Sequence, residues 1–262
     1  ITLASGTFVA CDSSSFEDNS DVVVNGTFDL NGNSEILDAL SGTGIVDTTV
    51  AGAVTLTTGH NAGSGSFGGT LQNTSGTLLL TVVGGALSLT NANTYSGATT
   101  VSAGLLDISH TSALGATSAG TTVAVGALLN VSASLTVNEP LSLAGELRAS
   151  IPAASGLSVN WSGNIELTGS VATFNPLAAN DLLTINGILS STTFTKSGSG
   201  QLTLTNASTY SGATTISAGT LSVSGSLPDA TDVSVASGAV YDIAANDTVD
   251  GLSGSGGVTL GT

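Results

Sequence analysis

The sequence predicts an all-β protein: a single-stranded parallel β-helix, or β-solenoid, in which short strands stack turn upon turn. A 23-residue segment occurs twice, apolar and polar residues alternate within each copy, and steps containing Gly or Asn separate the short apolar runs. Alternation with a period of two indicates a strand with one buried face. Internal repetition favours a solenoid over a sandwich or a barrel, whose sequences need not repeat.

The duplicated segment comprises residues 87–109 (LSLTNANTYSGATTVSAGLLDIS) and 202–224 (LTLTNASTYSGATTISAGTLSVS), identical at 17 of 23 positions. A looser repeat relates residues 21–46 to residues 232–258, with a one-residue difference in length. Residues 123–147 resemble both more distantly. The chain therefore contains several copies of one structural plan.

Individual positions of the duplicated segment have predicted places in the fold. The inward-facing apolar residues should form equivalent pairs, namely Leu89 and Leu204, Tyr95 and Tyr210, and Val101 and Ile216. We expect Asn91 and Asn206 to act in turns, either by adopting the left-handed conformation or by bonding to nearby backbone. Neither copy contains a group suited to catalysis, so the duplication indicates scaffold geometry.

Turn signals set the length of the predicted coil. Steps such as SG, NG, GTG and SGSGG supply the positive φ angles that Gly and Asn accept at low cost. Coils of roughly 20 to 25 residues would give about eleven stacked turns. We expect one continuous solenoid over residues 1–262.

The composition excludes several classes of function. The chain carries 18 acidic and two basic residues, so its net charge is -16 at pH 7. It lacks the basic patch that nucleic acid or an anionic membrane surface requires, and we expect neither as a partner. Ser and Thr contribute 76 of 262 residues, but 40% of the chain is hydrophobic, which supplies enough apolar surface for folding.

Residues 196–224 (KSGSGQLTLTNASTYSGATTISAGTLSVS) resemble the passenger-associated β-strand repeat of bacterial autotransporters and related surface proteins. The family pattern starts with K-x-G-x-G-T-L-T-L and closes with N-x-Y-x-G-x-T-x-[VI]-x-x-G-T-L. The first copy keeps NTYSGATTVSAG but has TVVGGA, without lysine, before Leu87. The resemblance implies a right-handed parallel β-helix on or beyond the outer surface of a bacterium, often adhesive or structural.

Both ends of the sequence read as interrupted repeats, as expected for a mature piece or fragment of a larger exported protein. Residues 1–8 (ITLASGTF) resemble residues 233–240 (VSVASGAV), and residues 256–262 stop inside an alternating run. Uncapped solenoid ends present strand edges that pair with another chain. We therefore expect a homo-oligomer or homopolymer formed by end-to-end stacking, because a head-to-tail contact that does not close makes a filament.

Few residues are candidates for metal or redox chemistry. His60 and His110 have no second ligand at metal spacing, so we expect each in a loop or turn. Cys11 is the single cysteine, and it is either a small buried residue or a link to another copy. Acidic residues concentrate in residues 12–21 and 229–250, where the alternatives are a solvated face and bound calcium at a coil edge. We predict no metal-binding residues and no cofactor.

A β-helix can be an enzyme, but the sequence offers few of the groups required. Arg148 and Trp161 belong to different expected turns, and Glu146 and Glu166 have no obvious partner. Trp161 is expected to pack under a loop rather than to bind a glycan. We predict no catalytic residues.

The sequence therefore predicts a non-catalytic extracellular structural protein that self-associates end to end into a fibre or surface matrix. The alternative is an adhesin passenger fragment of an autotransporter that binds host or substratum ligands, a surface glycan among them. Both place the protein in the extracellular space or on the bacterial outer surface, with no membrane insertion by this segment.

Overall fold

The computed structural model describes residues 1–151, 156–170 and 172–261, and every regular element in these ranges is a β-strand. Contacts cluster in two units, Ile1–Leu129 and Asn130–Thr262, which are considered separately. The predicted fold class is confirmed, because parallel strands stack turn after turn as in a β-solenoid. The single continuous domain over the whole chain stays a prediction.

The first unit is built from short parallel strands: β1 (Thr2–Leu3), β2 (Thr7–Val9), β3 (Asp21–Val24), β4 (Thr27–Asp29), β5 (Glu35–Ile36), β6 (Ala39–Gly42), β7 (Ile45–Asp47), β8 (Ala53–Thr58), β9 (Ser64–Phe67), β10 (Thr70–Leu71), β11 (Thr77–Val82), β12 (Ala86–Leu89), β13 (Thr99–Val101), β14 (Leu105–Ile108) and β15 (Thr121–Val123). They form a first sheet β1-β3-β6-β9-β12-β14, a second sheet β2-β4-β7-β10 and a third sheet β5-β8-β11-β13-β15. Strand β16 (Leu128–Val131) crosses the boundary between the units.

The second unit follows the same plan with these strands: β17 (Thr136–Val137), β18 (Leu141–Leu143), β19 (Glu146–Ala149), β20 (Ser158–Trp161), β21 (Ile165–Leu167), β22 (Thr173–Pro176), β23 (Leu182–Ile185), β24 (Leu189–Ser191), β25 (Phe194–Lys196), β26 (Gln201–Leu204), β27 (Thr214–Ile216), β28 (Thr220–Val223), β29 (Asp232–Val235), β30 (Val240–Ile243), β31 (Gly251–Gly254) and β32 (Gly257–Leu260). Its sheets are β19-β22-β25-β27-β29-β31, β17-β20-β23-β26-β28-β30-β32 and β18-β21-β24.

The turns vary in length. Asp21 pairs with Ala39, 18 residues later, whereas Glu146 pairs with Thr173, 27 residues later. The short turns explain why the described chain makes about 13 turns rather than the eleven or so predicted from an assumed coil length.

Apolar side chains fill the interior in columns. Along the third sheet of the first unit, Leu56 is in register with Leu80, and Val82 with Val101, and each is at most 1% exposed. The inward positions predicted for the duplicated segment are confirmed, with exposure of at most 1% for Leu89, Tyr95, Val101, Leu204, Tyr210 and Ile216. Burying one such side chain stabilises the fold by about 1.5 to 3 kcal/mol.

The looser repeat of residues 21–46 and 232–258 is also present in the structure. Val24 pairs with Gly42 in one copy, and Val235 pairs with Gly254 in the other. Both glycines have φ of +107°, and a Cβ would lie 2.2 Å from the Val24 carbonyl oxygen at Gly42 and 2.0 Å from the Val235 oxygen at Gly254. Only glycine fits this close approach of backbone to backbone.

Candidate functional site: turn-bridging side chains and the last turn

A tyrosine–threonine hydrogen bond recurs in both copies of the duplicated segment. Tyr95 Oη lies 2.5 Å from Thr99 Oγ1, and Tyr210 Oη lies 2.5 Å from Thr214 Oγ1. All four residues are at most 1% exposed. Burial raises the pKa of Tyr210 to about 12, so its hydroxyl is neutral at physiological pH. The TYSGATT motif therefore encodes an internal brace.

Asparagines of the duplicated segment bond to the backbone of an earlier turn. Asn91 Nδ2 donates to Gly68 O at 3.2 Å, and Asn206 Nδ2 donates to Asn186 O. Neither has a positive φ. Of the two predicted turn roles, backbone bonding is confirmed and the left-handed conformation is wrong.

Lys196, at the end of β25, is completely buried. Its Nζ donates to the carbonyl oxygens of Ser197 at 2.6 Å, Gly198 at 2.9 Å and Ala218 at 2.9 Å. An ammonium has three N–H donors, so all three are used. Burial lowers the pKa of Lys196 to about 8, which leaves the amine mainly protonated at pH 7. The lysine of the repeat pattern thus ties its own turn to the next one, a role that the sequence analysis did not assign.

Two buried aspartates connect turns in the second sheet of the first unit. Asp29 accepts hydrogen bonds from the Thr49 amide at 3.2 Å and hydroxyl at 2.7 Å. Asp47, in register with Asp29, accepts the equivalent pair from Thr74 at 2.7 and 2.6 Å. Burial opposes the charge of Asp47, but hydrogen bonds from Thr74 and Gln72 outweigh it and lower the pKa of this carboxyl. Sequence reasoning missed both, because their partners lie a full turn away.

The histidines and the cysteine lie in irregular segments. His60 is exposed after β8, and His110 Nδ1 accepts the Ser112 amide at 3.1 Å after β14, so the predicted loop or turn positions are confirmed. Cys11 is exposed, and the buried alternative for it is wrong. Within residues 1–151, 156–170 and 172–261, no group of three or more His, Cys, Asp or Glu side chains is arranged to hold a metal ion.

The residues weighed for glycan chemistry are built into the scaffold. Arg148 Nε lies 2.7 Å from Glu146 Oε1, which also accepts Asn175 Nδ2 at 2.8 Å, so Glu146 has the partners that the sequence did not reveal. Trp161 is completely buried in β20, and its Nε1 donates to Glu139 O at 2.8 Å. The expected packing role is confirmed, although Trp161 lies in the inward column of a strand rather than under a loop.

Apolar side chains are exposed on the last turn of the second unit. Leu252 in β31 is 51% exposed, and Val258 and Leu260 in β32 are 42% and 75% exposed. Their register partners in the preceding turn include Val233 for Leu252 and Tyr241 for Val258, and both partners are completely buried. A groove of about 610 Å³ opens beside them, lined by Ile243, Ala244, Ala245, Asn246, Asp247, Leu260 and Gly261.

Parallel strands in stacked turns, held by apolar columns and turn-bridging side chains, define a scaffold of the β-solenoid class. The sequence model of the Passenger-associated-transport-repeat family matches residues 84–108 and 194–223. The chain thus carries two copies of this repeat, and the resemblance to the autotransporter passenger repeat is confirmed for these segments. No curated protein and no solved structure matches the chain. No helix in the described residues is long and apolar enough to span a membrane.

Proposed function

We propose that this chain is a non-catalytic structural element of an exported bacterial surface protein, and that it associates with its own copies end to end into a fibre or matrix. The passenger repeats in residues 84–108 and 194–223 support export to the cell surface or the extracellular space. The polar groups of Lys196, Asp29 and Asp47 support a scaffold role, because each is hydrogen-bonded to a neighbouring turn.

One comparison within the molecule carries the proposal of stacking. Leu40 and Leu252 are corresponding residues of the looser repeat, yet Leu40 is completely buried and Leu252 is 51% exposed. Val46 and Val258 correspond in the same way, at 0% and 42%. In the next turn, β9 covers Leu40 in β6, and β10 covers Val46 in β7. A further turn upon β31 and β32 would bury Leu252 and Val258 as Leu40 and Val46 are buried.

We assign a second copy of the chain as the source of that turn. The first turn offers two short strands, β1 and β2, with Ile1 57% and Val9 43% exposed. The last turn offers two strands as well, β31 and β32. Residues 1–8 resemble residues 233–240, which form a turn with a neighbouring turn on each side. A turn of this sequence is therefore suited to stacking on both of its edges.

Electrostatic repulsion opposes the association. Every copy carries a net charge of -16, so copies repel each other at low ionic strength. The Debye length falls to about 8 Å at 0.15 M salt, which screens charges on separate copies while leaving short-range apolar contacts intact. We expect stacking to be faster and more extensive as salt is added.

Negative-stain electron microscopy of the purified chain at low and moderate salt tests the proposal. Wild type should form filaments that lengthen with salt, and Leu252→Lys should abolish them because an ammonium would be placed in the stacking face. Ser253→Lys, the neighbouring exposed residue of β31, adds the same charge on the opposite side of the strand and should retain filaments. Monomeric wild type under all conditions, or equal filaments from Leu252→Lys, would contradict the proposal.

The second candidate function is that of an adhesin passenger, and the outer face of one sheet in the second unit favours it. The register places outward hydroxyl residues of successive strands in one column, formed by Thr173, Thr195, Thr215, Ser234 and Ser253. An adhesin would stay monomeric and bind polysaccharide-coated beads through this face. Replacing Thr215 and Ser234 by Val should then reduce bead binding, and the variant should stay monomeric like the wild type.

A further inference from the structure

The segment Cys11–Ser20, here called the strap, connects β2 to β3 in the first turn, on the side where later turns carry a strand of the third sheet. Backbone hydrogen bonds hold it at both ends. The Ala10 amide donates to Asp29 O at 2.8 Å, and the Asp38 amide donates to Ser20 O at 2.9 Å. The strap therefore passes over the edge of β5, the first strand of the third sheet.

One aromatic side chain of the strap reaches into the interior. Phe16 is 5% exposed, whereas the strap residues on either side of the Ser15–Phe16 pair are largely exposed. Its ring stacks on Phe8 with centroids 4.9 Å apart and meets Phe28 edge-on at 5.2 Å. This contact stabilises the docked position of the strap, because it buries a large apolar side chain.

Beneath the strap, a carboxyl group takes a place that leucine takes elsewhere. Glu35 in β5 is in register with Leu56, which is in register with Leu80, and all three are inward-facing and buried. Glu35 Oε1 accepts the Ser15 amide of the strap at 3.1 Å. Its other oxygen, Oε2, is buried and has no hydrogen-bond partner. A charge at this position is therefore poorly solvated and only partly compensated.

We propose that the strap is a pH-sensitive clasp with Glu35 as its titrating group, closed over the edge of the third sheet in acid and loosened as the pH rises. Opening would uncover Phe8, Phe28 and the unpaired edge of β5, a surface suited to pairing with another strand. The clasp goes beyond the proposed function and does not depend on end-to-end stacking.

The titration of Glu35 has the sign that a clasp closed in acid requires. Burial raises the pKa of Glu35 above its ordinary 4.5; hydrogen bonds from Ser15 and Phe16 act against this, and the nearby charge of Asp12 adds to it. Asp12 belongs to the strap. On the neighbouring strand β8, the residue in register with Glu35 is the apolar Leu56. Because the docked state favours the protonated carboxyl, its contribution to docking is complete below pH 4.5 and is lost as the pH rises through the raised pKa.

Amide hydrogen exchange of Ser15 and Phe16, corrected for the intrinsic rate at each pH, measures opening of the strap. In the wild type the opening constant should rise between pH 4 and pH 7, by about tenfold for each unit by which the pKa is raised. Glu35→Gln keeps an acceptor for the Ser15 amide and removes the titration, so its opening constant should be flat. Glu166→Gln removes an exposed carboxyl of β21 in the second unit and should leave the wild-type rise unchanged.

A wild-type opening constant that is flat or falls with pH would overturn the clasp, and so would an equal rise in Glu35→Gln. Should Glu35→Gln fail to fold, the side-chain carboxyl of Glu35 can be titrated by NMR in the wild type. The midpoint of that titration should coincide with the midpoint of strap opening. Two different midpoints would show that another group controls the strap.

Discussion

Lys196 occupies the place in the second copy of the duplicated unit that Val82 occupies in the first. Val82 pairs with Val101, Lys196 pairs with Ile216, and Val101 and Ile216 are corresponding residues. Both Val82 and Lys196 are completely buried. The same inward slot thus accepts either an apolar side chain or an ammonium, provided that backbone carbonyls converge on the ammonium to satisfy its donors.

The buried amine of Lys196 predicts that the free energy of unfolding increases as the pH rises through the alkaline range. The pKa of Lys196 is lowered from 10.5 to about 8, so the unfolded chain binds the proton more tightly between these values, and stability from this group rises with pH there. Relative to Lys196→Met, the wild type should gain at most about 1.4 kcal/mol per pH unit, less where solvent screens the amine. Urea unfolding at pH 7.5 and 9.5 measures the difference.

Arg148→Met serves as the matched control for the alkaline experiment, since it replaces the other basic residue of the chain by the same apolar side chain. Its difference from wild type should be the same at both pH values. A Lys196→Met difference that is equally constant would mean that the amine is not confined in the interior.

The inward column should not tolerate charge. Leu204 is 1% exposed and lies in register with Ile185 on one side and Val223 on the other. Leu204→Asp removes a packed side chain and introduces an unpaired charge, so the free energy of unfolding should fall by about 3 to 5 kcal/mol. Thr203→Asp adds the same charge on the outward face of the same strand and should cost about 1 kcal/mol or less. Similar losses for both variants would invalidate the assignment of inward and outward faces.

The two tyrosine–threonine braces should be energetically alike. Tyr95→Phe and Tyr210→Phe each remove one buried hydrogen bond and leave a threonine hydroxyl unpaired, which costs about 1 to 3 kcal/mol. We expect the two losses to agree within about 0.5 kcal/mol, and the double variant to show their sum, because the braces lie in separate units. Denaturant midpoints of the three variants test this; a large loss at one site and none at the other would contradict it.

Acidification should weaken the aspartate bridges. The pKa of Asp47 is lowered in the folded state, so its contribution to stability is complete above its ordinary pKa of 3.8 and is lost as the pH falls through the lowered value. Asp47→Asn should therefore be less stable than wild type at pH 6, with a difference that shrinks toward pH 2. Thermal unfolding across this range provides the measurement. A difference that stays constant or grows in acid would show that Asp47 is not held as a carboxylate.

The sequence was sufficient for the fold because its main determinant is local. The alternation of apolar and polar residues around Leu204 indicates a strand. Gly42 and Gly254 indicate positions where the backbone needs a positive φ. Both signals lie within a few residues. The duplicated segment likewise predicted which positions of its two copies are buried. The number of residues per turn was predicted less accurately, because it depends on the length of each irregular connection between strands.

The polar contacts depend on register between turns and were therefore hidden. Asp47 meets Thr74 a full turn later, and Lys196 meets the carbonyl of Ala218 in the same way. Glu35 lies at an inward position, but only the pairing of β5 with β8 shows that it stands in a leucine column. Such contacts join residues about twenty positions apart, and no local pattern records them.

Hydrogen exchange of residues 251–260, followed by mass spectrometry at low and high protein concentration, tests the central claim most directly. If a second copy stacks on β31 and β32, the backbone amides on the free edge of these strands become hydrogen-bonded. They should exchange at least tenfold more slowly at high concentration, while the exchange rates of the β26 amides should not change. Identical exchange of residues 251–260 at all concentrations and salt conditions would contradict end-to-end stacking of this solenoid.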